Sequence, residues 1–136
     1  MMINSMSSIV ERFKGTTLQG DVLLCSPAQL VEVMKYLRLE GFTFLVNLTA
    51  VERPDCYTMV YIVGAYEFPE RFTIKVDVPK DKPFVATLTG VWLAANWTER
   101  EVYDMFGITF TDHPDLRRIL TPDDFKGYPL RKDYHG

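Results

Sequence analysis

Three stretches with the residue pattern of β-strands follow one another between residues 42 and 78, and they restrict the possible folds more than any other part of the chain. The last of them carries apolar side chains at alternate positions: Phe72, Ile74, Val76 and Val78. Because successive side chains of a strand point to opposite faces of the sheet, this alternation predicts one buried face and one face in water. We therefore expect a small sheet that other elements cover on one side.

The two preceding stretches predict further strands of the same sheet. From Phe42 to Val51, alternation predicts one buried face made of Phe42, Phe44, Val46 and Leu48. Residues 52–55 include a proline and predict a turn. From Cys56 to Ala65 the residues are apolar on both faces, so we expect this strand to be central in the sheet.

The residues before these strands predict two helices and a short strand. Apolar residues recur every three or four positions from Ile3 to Phe13, which is typical of a helix. A short apolar run, Val22–Cys25, is suited to a strand. Ser26 as an N-cap and Pro27 in the first turn then predict the start of a second helix, which Gly41 ends.

The region after the strands predicts a third helix. Residues 84–92 fit either a short strand or a helical turn, and we favour the helical turn. Thr98 and Glu101 then have the spacing of a capping box, which places the start of the helix at Thr98. Gly107 is suited to the left-handed conformation that ends a helix.

Together these elements predict an α+β fold with two layers. Helices cover one side of a small mixed β-sheet, and an extended C-terminal tail follows. A chain of 136 residues, 47% of them apolar, is long enough to bury one ordinary core. We place the compact domain at residues 1–107 and the extended docking tail at residues 108–136.

The tail combines many charges with large apolar side chains. Residues 99–136 hold 8 of the 18 acidic and 6 of the 15 basic residues, a composition typical of a solvated segment. Large apolar residues nevertheless interrupt them: Phe110, Leu116, Ile119, Leu120, Phe125, Tyr128, Leu130 and Tyr134. Three prolines exclude a long helix or an interior strand. We interpret the tail as an arm laid on another protein, so that residues 122–136 lack their proper surface in the isolated chain.

Arginines in this region suit either an interface or pairs within the chain. Arg117, Arg118 and Arg131 favour an interface, because arginine is enriched there and its planar fork pairs with carboxylates. The alternative is pairing with a nearby aspartate of the same chain: Asp115, Asp123 or Asp133. On the helix itself, the spacing of Arg100 and Asp104 predicts a weak surface ion pair.

Composition argues against several classes of protein. The net charge of −3 is unlike that of a nucleic-acid-binding protein and gives no attraction to an anionic membrane. Cys25 and Cys56 are too far apart for a C-x-x-C motif, so we expect two buried, reduced thiols. No apolar run approaches the roughly 20 residues that span a bilayer, and the first residues lack the features of a signal peptide.

The residue pattern predicts no catalytic, cofactor-binding or metal-binding site. Neither His113 nor His135 has another histidine or a cysteine at metal-ligand spacing, and no P-loop or dinucleotide fingerprint is present. Glu99 and Glu101 are two positions apart on a helix and point in different directions, so they form a poor acid–base pair. The competing hypothesis is a small free-standing enzyme that uses Glu101, Asp104 and His113.

Two motifs in the last third of the chain resemble the signature of a known family. The first is E-R-E-x-x-D-M-F at Glu99–Phe106, followed by His113 and by R-R-I-L at Arg117–Leu120. The second is P-L-R-K-D-Y at Pro129–Tyr134. In residue identity and order, both resemble the 30-kDa subunit of respiratory complex I, which is the proton-pumping NADH:quinone oxidoreductase (NADH dehydrogenase).

This resemblance implies a non-catalytic assembly subunit in the hydrophilic arm of such a complex, peripheral on the cytoplasmic side of the cell membrane. It implies docking on the 49-kDa subunit, which helps to form the quinone pocket, and proximity to iron–sulfur subunits. It implies no cofactor in this chain, with FMN and iron–sulfur clusters on other subunits. The residues implied to fold and dock the tail are Glu99, Arg100, Glu101, Asp104, Phe106, His113, Arg117, Arg118, Pro129, Leu130, Arg131, Lys132, Asp133 and Tyr134.

Related complexes contain a similar subunit, so the resemblance leaves the electron donor open. The alternatives are a membrane-bound hydrogenase and another quinone- or methanophenazine-reducing complex. The chain also ends two residues after Tyr134, where many family members continue. We therefore expect a shorter wrap around the partner.

Overall fold

The computed structural model describes residues 9–67, 69–122 and 124–134. Residues 9–12 are helical, and a single 3-10 turn, Pro27–Gln29, precedes the first long helix. The remaining elements are, in chain order, β1 (Thr17–Gln19), β2 (Val22–Cys25), α1 (Leu30–Leu39), β3 (Phe44–Glu52), β4 (Cys56–Gly64), β5 (Phe72–Pro79), β6 (Phe84–Ala86), α2 (Ala95–Phe106) and β7 (Thr109–Thr111).

Five of the strands form one mixed sheet in the order β1-β2-β5-β4-β3. The β2–β5 pair is parallel, and the other neighbours are antiparallel. A parallel pair requires a long connection, which α1, β3 and β4 supply here. The remaining strands, β6 and β7, form a separate parallel pair on either side of α2 in the sequence. The prediction of an α+β fold with a small mixed sheet is confirmed.

The apolar faces predicted from the sequence form much of the core. On β5 the alternating residues are at most 1% exposed: Phe72, Ile74, Val76 and Val78. One stripe of α1 is fully buried in the same cluster: Leu30, Val33, Met34 and Leu37. The strand predicted to be central, β4, is paired on both sides, although β5 occupies the middle of the sheet.

The alternation predicted for β3 is wrong from Val46 onwards. A bulge between Leu45 and Asn47 shifts the register of β3 against β4. As a result Leu45 and Leu48 are buried, whereas Val46 is 43% exposed. A bulge inserts an extra residue into one strand, so the positions beyond it exchange faces.

The predicted start of α2 is also wrong, because the helix begins at Ala95 and not at Thr98. The Thr98 hydroxyl caps nothing and donates instead to the carbonyls of Ala94 and Ala95 (3.3 Å each). The preceding turn is anchored in the core by Trp92, whose indole N–H donates to Phe42 O (3.2 Å). Burial of this turn therefore outweighs the local capping signal.

Other local predictions are met in part. The Ser26 hydroxyl bonds to the Gln29 side chain (3.3 Å) and caps no helix. Residues 84–92 hold both β6 and a turn at Leu88, so the favoured helical turn omits the strand. In the first predicted helix, residues 3–8 lie outside the described residues, and residues 9–12 are helical.

Two further features concern burial. Within the described part of the chain, no helix has both the length and the apolar character needed to cross a membrane. Both cysteines are free; Cys25 is buried as predicted, but Cys56 is only half-buried. Burial raises the pKa of the Cys25 thiol to about 11, so this group stays protonated and unreactive near neutral pH.

Candidate functional site

The C-terminal tail caps the end of α2. The last four carbonyls of an α-helix have no partner within the helix, so other groups must supply the donors. Two of these donors are backbone groups: Gly107 N–H reaches Tyr103 O (2.8 Å), and Leu130 N–H reaches Met105 O (3.0 Å). We call residues 118–134, from which the second donor comes, the strap.

Two strap arginines satisfy the other two carbonyls. Arg118 Nη2 donates to Asp104 O (2.9 Å), and Arg131 Nε donates to Phe106 O (2.6 Å). Both cations lie at the negative end of the helix dipole, where positive charge is favourable. The family motifs therefore meet at one place, since the second motif closes the helix on which the first is written.

Gly107 allows the strap to approach this closely. Its φ is 76°, a left-handed conformation that costs a residue with a side chain about 1–2 kcal/mol. A Cβ at this position would lie 2.7 Å from both Arg131 Nη2 and the ring of Tyr128. The sequence indicated the backbone reason for this glycine, and the structure adds a steric one.

Asp104 is the buried anchor of the strap, with a side chain that is 0% exposed. Its Oδ2 accepts three successive backbone N–H groups, from Ile119 (3.0 Å), Leu120 (2.6 Å) and Thr121 (3.0 Å). Its Oδ1 accepts Arg118 Nε (2.7 Å) and the Thr121 hydroxyl. Burial alone would raise the pKa of the Asp104 carboxyl, but the hydrogen bonds from Thr121, Arg118 and the backbone hold it well below its usual range.

Arg118 connects this anchor to the rest of the strap. It donates to the carbonyls of Phe125 (2.8 Å) and Gly127 (2.6 Å). Its guanidinium also lies over the rings of Phe125 (5.3 Å) and Tyr128 (4.9 Å). One side chain therefore fixes the helix end, the buried carboxylate and the turn of the strap.

The far end of the strap is held on the sheet side. The Glu52 carboxylate, at the end of β3, accepts Lys80 Nζ (2.8 Å) and the backbone N–H of Lys132 (2.7 Å). The hydrogen bond from Lys80 holds the pKa of Glu52 below its usual value. Arg131 lies over the rings of Tyr57 (5.8 Å) and Tyr128 (4.5 Å).

These contacts correct three expectations about the charged residues. Arg100 and Asp104 do not pair, because Asp104 is buried under the strap and Arg100 Nε donates to Arg117 O (3.2 Å). Intrachain pairing holds for Arg117, which grips Asp115 at 2.7 Å and 2.8 Å on the surface. Arg118 pairs within the chain as well, but with Asp104. Finally, residues 124–134 do contact their own domain.

A second buried carboxylate, that of Glu99, lies one turn and a half before Asp104 on α2. It is 0% exposed. Its Oε1 accepts the Thr87 hydroxyl (2.6 Å), and its Oε2 accepts the backbone N–H of Leu88 (2.7 Å). This carboxyl group therefore ties α2 to the segment that follows β6.

His113 is buried beside Glu99, with 3.9 Å between His113 Nε2 and Glu99 Oε1. Its Nδ1 accepts the backbone N–H of Asp115 (2.9 Å), so the ring proton is on Nε2, which lies 3.1 Å from Asn96 O. Both ring nitrogens are thus used to hold the chain after β7 against the start of α2. A histidine with both nitrogens engaged is a structural element and a poor proton shuttle.

Burial of Glu99 has an electrostatic consequence. Desolvation raises the pKa of its carboxyl to about 7, although the bonds from Thr87 and Leu88 lower it in part. The hydroxyl of Tyr61 is buried without a hydrogen-bond partner among the described residues. Burial raises the pKa of Tyr61 well above its usual value, and the charge of Glu99 adds to this effect.

We expect Glu99→Gln to remove a pH dependence of stability. A folded pKa near 7, against an unfolded value near 4.5, means that the stabilising contribution is full below about pH 4.5 and is lost as the pH rises through 7. Glutamine can accept from Leu88 N–H and donate to the Thr87 oxygen, so it mimics the protonated acid. Between pH 5 and pH 8, the wild type should lose about 2 kcal/mol of unfolding free energy relative to the variant.

Urea unfolding at several pH values measures this difference. Glu101→Gln is the matched control, because Glu101 lies two residues away on the same helix and is only half-buried. Parallel pH profiles for wild type and Glu99→Gln would contradict the burial of an ionisable group at this position.

The predicted site residues do not converge on a reaction centre. Asp104 is enclosed by the strap, His113 is bonded to backbone, and Glu101 lines a separate groove of about 230 Å³ between α2 and β3. None of these three side chains bonds to another. Among the described residues no three His, Cys, Asp or Glu side chains are grouped as metal ligands would be.

The remaining motif residues complete the strap. The Phe106 ring packs edge-on against Tyr57 (6.0 Å), and Tyr134 stacks on Phe125 (6.1 Å). Pro129 is half-buried, and Asp133 is exposed. Sequence reasoning missed the partners of the buried acids, Thr87 and Thr121, because a lone threonine in a loop carries no signal of its role.

Comparison with known proteins agrees with this arrangement. Residues 23–136 match the family described as the 30-kDa subunit of respiratory-chain NADH dehydrogenase. NADH-quinone oxidoreductase subunit 5 of Thermus thermophilus is 43% identical over 115 residues, which cover 76% of this chain and 56% of that protein. This chain thus spans little more than half the length of that relative.

Two further matches come from a longer relative and from a solved structure. The C/D subunit of NADH-quinone oxidoreductase from Methylococcus capsulatus is 40% identical over 133 residues, covering 88% of this chain and 23% of that protein. The structure of the trypsin-resistant fragment 1–134 of Nqo5 superposes with a TM-score of 0.73 at 28% identity, covering 85% of this chain and 100% of the fragment. The chain therefore belongs to the family of the 30-kDa subunit of the NADH-quinone oxidoreductase known as complex I.

Proposed function

We propose that this chain is a non-catalytic structural subunit of a complex-I-type oxidoreductase and that it docks on the 49-kDa subunit. The observation that carries the proposal is the strap. Its arginines and the two buried carboxylates are engaged within the chain, so the family motif builds a rigid surface and no reaction centre.

What the strap turns outward supports docking. Leu120 is 59% exposed and Leu130 is 56% exposed, although both are flanked by backbone bonds that fix their positions. Large apolar side chains held rigidly in this way are typical of interface anchors, because little conformational entropy is lost on binding. The joint C/D name of one relative also suits a permanent neighbour.

The proposal extends to cofactors and location. This chain holds no redox group of its own, and the FMN and iron–sulfur clusters belong to other subunits of the complex. The complex lies at the cytoplasmic side of the membrane, with this subunit in its peripheral arm. The alternatives are the equivalent subunit of a membrane-bound hydrogenase or of another quinone-reducing complex, and the identity of the copurified partners distinguishes them.

Copurification tests the proposal. We expect a tagged wild-type chain, expressed in its own cell, to retain the 49-kDa subunit through gel filtration. The double variant Leu120→Asp and Leu130→Asp should lose that subunit, while the melting temperature of the isolated chain changes little because both side chains point into water. Leu39→Asp is the matched control, since Leu39 is 85% exposed on α1 and far from the strap in sequence.

Two results would contradict the proposal. One is a wild-type chain that is recovered alone under conditions that keep the rest of the complex together. The other is substrate turnover by the isolated chain that is lost in His113→Gln, which would favour a free-standing enzyme.

A further inference from the structure

A second exposed surface lies at the opposite end of α2 from the cap. Leu93, just before the helix, is 86% exposed, and Trp97 in its first turn is 53% exposed. Arg100 follows one turn later and holds its guanidinium over the Trp97 ring (5.6 Å). We call this set, with Arg117 and Arg38, the arginine ridge.

Arg100 is pre-organised in the ridge. Its Nε donates to Arg117 O (3.2 Å), and its flat face is stacked on Trp97. Its two terminal nitrogens bond to no residue that the structure describes. A guanidinium held in this way presents the two parallel donors that match a carboxylate, with little entropy left to lose.

The ridge continues into an open groove of about 460 Å³. Leu93 lies at its rim, and Arg38 reaches across it from the end of α1 to donate to Val91 O. Phe44 supplies an apolar wall. The groove and the helix face thus form one continuous surface with apolar side chains in the middle and arginines around them.

The charge of this surface differs from that of the whole chain. The chain carries a net charge of −3, yet the ridge gathers three arginines, and Asp115, which is bound to Arg117, is the acidic group paired there. Tryptophan and arginine are the residues most enriched among interface anchors. A positive, apolar-centred surface on an acidic protein is complementary to a segment that carries carboxylates.

We propose that the arginine ridge binds a carboxylate-bearing segment of another subunit of the same complex. This inference rests on the proposed function and assigns a contact separate from that of the strap leucines. Trp97 inserts as the apolar anchor, and Arg100 pairs with an Asp or Glu of the partner.

Photo-crosslinking in the intact complex tests the inference. Trp97→benzoylphenylalanine is introduced into the full chain, the complex is purified and irradiated, and the crosslinked peptide is sequenced by mass spectrometry. Tyr66→benzoylphenylalanine is the matched control, because Tyr66 is 87% exposed and outside the ridge. We expect position 97 to capture a peptide of another subunit with Asp or Glu close to the crosslink, and Arg100→Glu to lower the yield about tenfold.

The outcomes separate the two proposals. A wild-type chain that assembles with nothing overturns both. An intact complex overturns the ridge contact alone if position 97 gives no crosslink, captures a second copy of this chain or captures a segment without acidic residues. An unchanged yield in Arg100→Glu also overturns it.

Discussion

Asp104→Asn is expected to lower the free energy of unfolding by about 3–5 kcal/mol, the largest single effect in the chain. The asparagine amide would place two N–H donors against the backbone donors of residues 119–121. It would also leave the Arg118 guanidinium, only 11% exposed, without its counter-charge. Unpaired buried charges and opposed donors are both costly, since water cannot reach them.

Chemical denaturation of the isolated chain measures this loss. The matched control is Asp115→Asn, which removes an arginine pair of similar length from the surface, where both partners are solvated. We expect the control to unfold close to the wild type. A small effect of Asp104→Asn, similar to that of the control, would mean that the strap does not close over this carboxylate in solution.

The same variant should change the response to acid. Because the folded state holds the pKa of Asp104 well below its usual range, the stabilisation is present above the unfolded value near pH 4 and is lost as the pH falls through the lower folded value. Wild type should therefore lose stability more steeply than Asp104→Asn below about pH 4. The direction is opposite to that of Glu99, which loses stability as the pH rises.

Gly107→Ala is expected to cost about 3 kcal/mol, the second-largest effect. Part of this cost is the left-handed backbone, and the rest is displacement of the strap, because the new Cβ would lie 2.7 Å from Arg131 and from Tyr128. Moving the strap would break the bonds of Leu130 and Arg131 to the last carbonyls of α2. Hydrogen exchange of the Leu130 amide should therefore accelerate in the variant.

Gly20→Ala separates the two contributions. Gly20 also has a left-handed conformation, with φ at 63°, but a Cβ there would meet no atom within 4 Å. It should cost about 1 kcal/mol, for the backbone alone. Equal losses at the two glycines would contradict the close contact of the strap with the helix end.

Several elements are predictable because short-range periodicity and burial agree there. The alternation of β5 and the stripe of α1 were predicted from the sequence, since a strand or helix with one apolar side has one stable way to face a core. Gly107 was predicted to end α2 from its conformational freedom alone. At β3, by contrast, the same alternation failed, because the bulge at Leu45 depends on pairing with β4.

The two buried acids show the limit of such reasoning most clearly. On a helical wheel Glu99 and Asp104 resemble solvated surface residues, and sequence rules assigned Asp104 to a weak pair with Arg100. Their true partners are Thr87, Leu88 and residues 119–121, which lie 11 to 17 positions away along the chain.

The sequence by itself determined the α+β class, the apolar faces, the helix-ending glycine and the family signature, because each follows from residue types at short spacing. Only the tertiary structure decided that the charged residues of that signature are buried and satisfied within the chain. A carboxylate can leave water only where enough donors converge on it. That convergence depends on how the strap and the segment after β6 fold back onto α2.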